Sequence, residues 1–107
     1  MRRFIANYTI VPHRGILVNH VTTLDDDSRL AGVEPVRDEL AYTLYIPGTI
    51  CILPQKCKHL LNDTRLHSLS REQLYQQLSQ LITPHEIAGL VAVAQWHIQA
   101  SSLVLLT

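Results

Sequence analysis

The chain has few cysteines and no excess of either charge. Its 107 residues include two cysteines, Cys51 and Cys57, which are too few for the disulfide framework of small secreted proteins. Nine basic residues balance nine acidic ones, so the formal net charge is zero. Tight binding to the phosphate backbone of a nucleic acid needs a basic excess. The sequence therefore predicts two free thiols and argues against a nucleic-acid partner.

Long apolar segments are also missing. No run reaches the roughly 18 apolar residues that a membrane-spanning helix needs. Residues 1–3 are followed by alternating side chains and not by the apolar run of a signal peptide. We therefore expect a cytoplasmic protein without a membrane partner. The apolar share of 47% with 17% charged residues is that of an ordinary globular protein, and the length suits one domain with one modest core.

The first half of the chain alternates with the period of a β-strand. In the segment 4–10 the even positions are apolar, whereas Asn7 and Thr9 point the other way. Turn-forming residues follow at 12–15 and at 25–28. The strands predicted in this half are 4–10, 16–23, 29–36 with a bulge at Gly32, and 40–53 with a bend at Pro47-Gly48. Their short links predict an antiparallel meander or small sandwich of about four strands.

From Ser70 onwards the apolar period becomes helical. Ser70 and Gln73 fit a capping box, and the apolar residues that follow fall on one face, which predicts a helix over 71–82. These residues are Leu74, Leu78, Leu81 and Ile82. Thr83 and Glu86 fit a second capping box with Pro84 at the first helical position, which predicts a second helix over 84–99. The apolar run 101–107 is compatible with a short terminal strand.

These patterns predict an α+β fold in a single domain, 1–107. It would consist of a β module at 1–53, a linker at 54–69 with a short helical turn at 56–61, and a helical part at 70–107. The second helix is apolar on nearly all sides, which indicates burial by more than one surface. In so small a chain we expect the second surface on another subunit. The predicted interface residues are Ile87, Leu90, Val91, Ala94, Trp96, Ile98, Leu103 and Leu105.

Residues that could carry chemistry are sparse. The wide spacing of the two cysteines is not that of a zinc knuckle, and neither a His-Glu-x-x-His pair nor a Gly-x-Ser-x-Gly motif is present. The acidic run 25–27 lacks the alternating ligands of a calcium loop. The flanking lysines at 56 and 58 are a local reason for a lowered pKa of the Cys57 thiol. The remaining candidates for a metal site are Cys51, Cys57, His59 and His67.

Two motifs occur in the order of a known β segment. Residues 21–33 read Val-Thr-Thr-Leu-Asp-Asp-Asp-Ser-Arg-Leu-Ala-Gly-Val, and residues 44–48 read Leu-Tyr-Ile-Pro-Gly. Together, the stretch 19–48 resembles the N-terminal β segment of amidohydrolase-superfamily proteins, which are metal-dependent hydrolases. The resemblance implies strands that flank a catalytic barrel. The family's His-x-His motif would fall at Leu53 and Gln55, neither of which offers an imidazole ligand, and a barrel of about 250 residues does not fit this chain.

The sequence therefore predicts a non-catalytic protein without a cofactor. We expect it to act through self-association, with a dimer favoured, or as a protein-interaction module, and an amidohydrolase-type enzyme is a second candidate partner. The alternative is a small enzyme or a ligand-binding or metal-binding protein, with a site around Cys57, His59 and His67.

Overall fold

Six strands form one mixed sheet in the part of the chain that is described. The structure, a computed structural model, describes residues 1–37, 42–97 and 102–106. The strands are β1 (Arg2–Val11), β2 (Gly15–Leu24), β3 (Leu30–Pro35), β4 (Thr43–Pro54), β5 (Val91–His97) and β6 (Ser102–Leu105). Their order across the sheet is β3-β2-β1-β4-β5-β6. The fold is α+β, as predicted, with two more strands than the predicted β module.

The sheet is not purely antiparallel, because β4 runs parallel to β1. β2 and β3 continue the sheet on one side of β1, and the chain then returns to the other side of β1, so β4 repeats its direction. The pairing of β1 with β4 shifts register opposite Pro47 and Gly48, where Gly48 has a φ of 93° that favours glycine. The predicted bend in this strand is confirmed, and the predicted antiparallel meander is corrected.

Helical segments connect β4 to β5. They are a 3₁₀ helix (Gln55–Asn62), the short helix α1 (Thr64–His67), the helix α2 (Arg71–Leu81) and a second 3₁₀ helix (Pro84–Ala88). The predicted capping box starts α2, since Gln73 N donates to Ser70 Oγ at 3.2 Å and Ser70 N donates to Gln73 Oε1 at 2.9 Å. The helix predicted over 71–82 is thus confirmed. The predicted linker buries Cys57, Leu60 and Leu66 and is part of the core.

Both ends of α2 are fixed to the sheet. At its start, the Arg71 guanidinium lies 3.6 Å from the centre of the Tyr8 ring, and Arg71 Nε donates to Thr49 Oγ1 at 3.1 Å. Near its end, His13 N in the β1–β2 turn donates to Ser79 Oγ at 3.1 Å. The buried face of α2 carries Leu74 and Leu78, and Ile82 directly after the helix is also buried, whereas Leu81, the remaining residue of the predicted apolar stripe, is 50% exposed.

The helix predicted over 84–99 is wrong beyond its first turns. Only Pro84–Ala88 is helical, and the chain then forms β5 between β4 and β6. Residues 91–94 are all buried, whichever face of the sheet they occupy. A strand covered on both faces reads as a continuous apolar run, so its sequence lacks the period that separates strand from helix. The predicted helical half therefore contributes two strands to the same sheet as the first half, and residues 98–101 lie outside the described part.

The sheet curls on itself. Leu24 pairs with Arg2 at one end of β1, whereas β5 begins opposite Pro54 at the other end of β4. Even so, Val91 N donates to Ser28 O in the β2–β3 turn at 2.9 Å. The tip of this hairpin thus reaches across to the start of β5 and covers the interior. The core residues with no exposed surface include Ile10, Val11, Leu24, Ile50, Ile52, Leu74, Val91 and Val93.

The buried hydroxyl of Thr22 allows the energetic cost of a polar group in this core to be measured. It is fully buried on β2, and within the described residues its Oγ1 has no hydrogen-bond partner. We expect Thr22→Val to raise the free energy of unfolding by about 1 kcal/mol, because it removes a desolvated hydroxyl at nearly constant shape. Thr49→Val is the matched control and should lower it, because Thr49 Oγ1 accepts from Arg71 Nε. Urea denaturation of both variants measures the two signs, and destabilisation by Thr22→Val would contradict the expectation.

Candidate functional site: the free edge of strand β6

The predicted metal and thiol residues do not converge. Cys51 is fully buried in β4, and burial raises its pKa to about 12. Cys57 is buried in the first 3₁₀ helix, whereas His59 is exposed, and His67 Nε2 lies 2.7 Å from Leu61 O. Among the residues described by the structure, no three His, Cys, Asp or Glu side chains are placed to hold a metal ion.

Cys57 is not an activated thiol. Burial raises its pKa, and the carboxylate of Glu86 raises it further, since Glu86 Oε2 lies 3.9 Å from the Cys57 sulfur. The neighbouring Lys56 lowers the pKa, but by less than these two effects raise it. A thiol that stays protonated near neutral pH is a poor nucleophile. The lysines flanking Cys57 therefore do not produce the lowered pKa that the sequence suggested.

Glu86 is ionised and already engaged. Its Oε1 accepts hydrogen bonds from Thr83 N at 2.8 Å and Thr83 Oγ1 at 2.7 Å, as in the predicted capping box. Its Oε2 lies 3.1 Å from Lys56 Nζ. The bonds from Thr83 and Lys56 lower the pKa of Glu86 to about 2. A carboxylate so occupied is a weak general base.

A shallow groove of about 360 Å³ runs beside this carboxylate, between the end of β4 and the second 3₁₀ helix. Its lining residues are Pro54, Gln55, Lys56, His85, Glu86, Gly89 and Leu90. Apolar and backbone atoms make up much of this wall, and its carboxylate is committed to the cap. The groove therefore offers mainly packing surface, and the imidazole of His85 is also part of its lining.

The lowered pKa of Glu86 predicts that the protein loses part of its stability at acidic pH. Its folded pKa of about 2 lies below the ordinary value of 4.5, so its contribution to stability is complete above that ordinary value and is lost as the pH falls towards the folded value. Glu86→Gln should therefore destabilise the protein near neutral pH, and the difference from wild type should shrink at about pH 3. Urea denaturation at both pH values measures it. An equal difference at the two pH values would contradict the expectation.

The two edges of the sheet differ in how they are protected. At the β3 edge, Val36 N donates to Asn19 O at 3.0 Å, and this register turns the main-chain groups of Val33 and Pro35 away from β2. Proline has no N–H to offer at such a position. Glu34 adds an exposed charge. Proline and charge are the usual means of blocking an edge strand, so β3 is a poor template for another strand.

Strand β6, as far as the structure describes it, has neither kind of protection. Leu106 N donates to Val93 O at 2.7 Å, so Val104, which pairs with Gln95, also bonds towards β5. The N–H and C=O groups of Leu103 and Leu105 consequently point away from the sheet. Residues 102–106 contain no charge and no proline.

Nearby elements leave the β6 edge partly uncovered. The first 3₁₀ helix and α1 pack beside β6, yet Val104 and Leu105 remain 45% and 41% exposed. Past the end of the strand, Leu106 and Leu44 line a common depression of about 290 Å³, together with Met1, Arg2, Arg3, Phe4 and Tyr42. Leu44 is itself 56% exposed. The free edge thus adjoins a surface that carries both apolar side chains and two arginines.

The predicted interface residues fall into four groups. Ile87, Val91, Ala94 and Trp96 are buried within the single chain. Leu90 is 46% exposed but precedes β5, away from the free edge. Leu103 and Leu105 lie on that edge, whereas Ile98 is outside the described residues. The apolar, uncharged run at 101–107 was the sequence signal for this site, but the sequence did not predict that residues 102–105 form an edge strand.

No protein-family model, no curated protein and no solved structure matches this chain. The resemblance of residues 19–48 to the amidohydrolase β segment stays a prediction. No helix in the described ranges has the length and apolarity to cross a membrane.

Proposed function

We propose that the protein is a non-catalytic module that associates with other protein chains through the free edge of β6. The observation that supports this proposal is the contrast between the two edges of the sheet. β3 ends in an outward-facing proline, whereas β6 presents outward main-chain groups at Leu103 and Leu105, and residues 102–106 themselves contain no charge and no proline. Addition of a strand to such an edge supplies affinity through main-chain hydrogen bonds.

The surroundings of the candidate reactive side chains support a non-catalytic role. Cys57 has a raised pKa, and Glu86 is held by its cap and by Lys56. His67 lies against a main-chain oxygen and not against Cys57. The alternative of an enzyme or metal-binding protein built on Cys57, His59 and His67 therefore gains no geometric support.

Titration with a short peptide tests the proposal. The peptide carries the sequence of residues 102–106, Ser-Leu-Val-Leu-Leu, and the control peptide has proline in place of both inner leucines that correspond to 103 and 105. We expect the first peptide to shift the amide resonances of Leu103 and Leu105 and to slow their hydrogen exchange, because both N–H groups would gain partners. The control peptide should do neither.

A variant of the protein completes this test. Leu105→Pro removes one outward N–H while leaving the β5–β6 hydrogen bonds intact, and proline is tolerated where the N–H of an edge strand faces solvent. We expect this variant to keep its fold, judged by circular dichroism, and to lose most of the peptide binding. Equal binding of both peptides, or full binding by the folded variant, would contradict the proposal.

A further inference from the structure

We infer that the partner of the β6 edge is a second copy of this chain, paired antiparallel about a two-fold axis at Val104. The inference rests on the proposed function, since it names the partner of the same edge. It follows from the position of the outward main-chain groups, from the charge of the edge and from the small area available.

The hydrogen-bond register of β6 is self-complementary. The outward groups belong to Leu103 and Leu105, with Val104 between them. When two such strands meet antiparallel, Leu103 of each copy can exchange both main-chain hydrogen bonds with Leu105 of the other copy. Val104 then lies directly opposite its own counterpart, in the closely spaced type of pair. One two-fold operation satisfies both edges and closes the assembly, as an isologous dimer requires.

Charge also favours an identical partner. Residues 102–106 are uncharged, so pairing of the two strands themselves buries no unpaired charge, whereas a charged strand would bury one. The chain has a formal net charge of zero, and two copies therefore approach without net repulsion. The exposed side chain of Val104 would gain an apolar contact in the pair.

The size of the edge sets the expected strength. β6 is four residues long, and with the neighbouring Leu44 and Leu106 it offers less than the roughly 1,200 Å² that a stable interface buries. We therefore expect a reversible dimer that is populated at protein concentrations of about 10 µM to 1 mM.

Substitution of Val104, which lies on the two-fold axis, by residues of opposite charge tests the inference. Analytical ultracentrifugation of the full chain should show a monomer–dimer equilibrium. Val104→Lys and Val104→Asp should each weaken the dimer by about tenfold or more, because a two-fold axis places like charges directly opposite each other. An equimolar mixture of the two variants should recover the dimer, because opposite charges then meet. Val18→Lys is the control, since Val18 is 56% exposed on β2, and should leave the equilibrium unchanged.

Four results would overturn the inference. Wild-type protein that stays monomeric at about 1 mM while still binding the strand peptide would mean that the edge takes a different partner, and the proposed function would stand. Monomeric protein that also fails to bind the peptide would remove both. A dimer that Val104→Lys leaves intact, or a mixture that stays monomeric, would place the interface elsewhere or in a different register.

Discussion

Replacing Leu78 with alanine is expected to lower the free energy of unfolding by about 2–5 kcal/mol. Leu78 is 1% exposed on α2, so the truncation removes buried methyl groups and leaves a cavity. Because both ends of the helix are fixed, the helix cannot move far to close this cavity. Arg71 at the start of α2 and Ser79 near its end both bond to the sheet side of the fold. A loss of this size is a large part of the stability of an ordinary domain.

Leu81, three residues later in the same helix, is the matched control. It is 50% exposed, so Leu81→Ala makes the same chemical change with little loss of buried surface, and we expect a cost below about 1 kcal/mol. Urea denaturation of both variants gives the comparison. Similar costs for the two leucines would mean that α2 packs with a different face towards the sheet.

Replacing Trp96 with alanine is expected to cost about 3–5 kcal/mol. Trp96 is 4% exposed in β5 and pairs with Thr49 of β4, so its indole is part of the hydrophobic core. Trp96→Phe should cost clearly less, about 1–2 kcal/mol. The reason is that the ring is largely replaced, and the indole N–H that is lost has no partner within the described residues.

The sole tryptophan of the chain also reports its own environment. We expect a blue-shifted fluorescence emission that moves to longer wavelength on unfolding, since the folded indole is buried. For the two variants, thermal denaturation followed by circular dichroism measures the loss without the fluorophore. A small cost for Trp96→Ala would show that β5 does not lie in the core.

Local patterns predicted the elements that have one polar face. The strand alternation in residues 4–10, the turns at 12–15 and 25–28, and the helix after Ser70 all follow from short-range preferences and from one-sided burial. β5 escaped this reasoning because it is covered on both faces. Its residues Val91 to Ala94 are all apolar, and such a run fits a buried helix as well as a buried strand. The Thr83–Glu86 cap is present, but the helix after it ends within two turns.

The candidate site, like the fold, was predictable from the sequence only in part. Lysines beside Cys57 are visible in the sequence, but Glu86, which raises the pKa of that thiol, lies 29 residues away along the chain and reaches it only through folding. The uncharged run at 102–106 is likewise visible. Whether it becomes a central strand or a free edge depends on whether another strand follows it in the sheet.

Residue order alone was enough to establish a neutral chain with two thiols, a strand-rich first half and a capped amphipathic helix, because composition and short-range periodicity carry that information. The parallel pairing of β1 with β4, the conversion of 91–97 into a strand and the free edge at β6 depended on contacts between distant segments. Those contacts are selected by burial of the whole core, and no local pattern encodes which strands become neighbours.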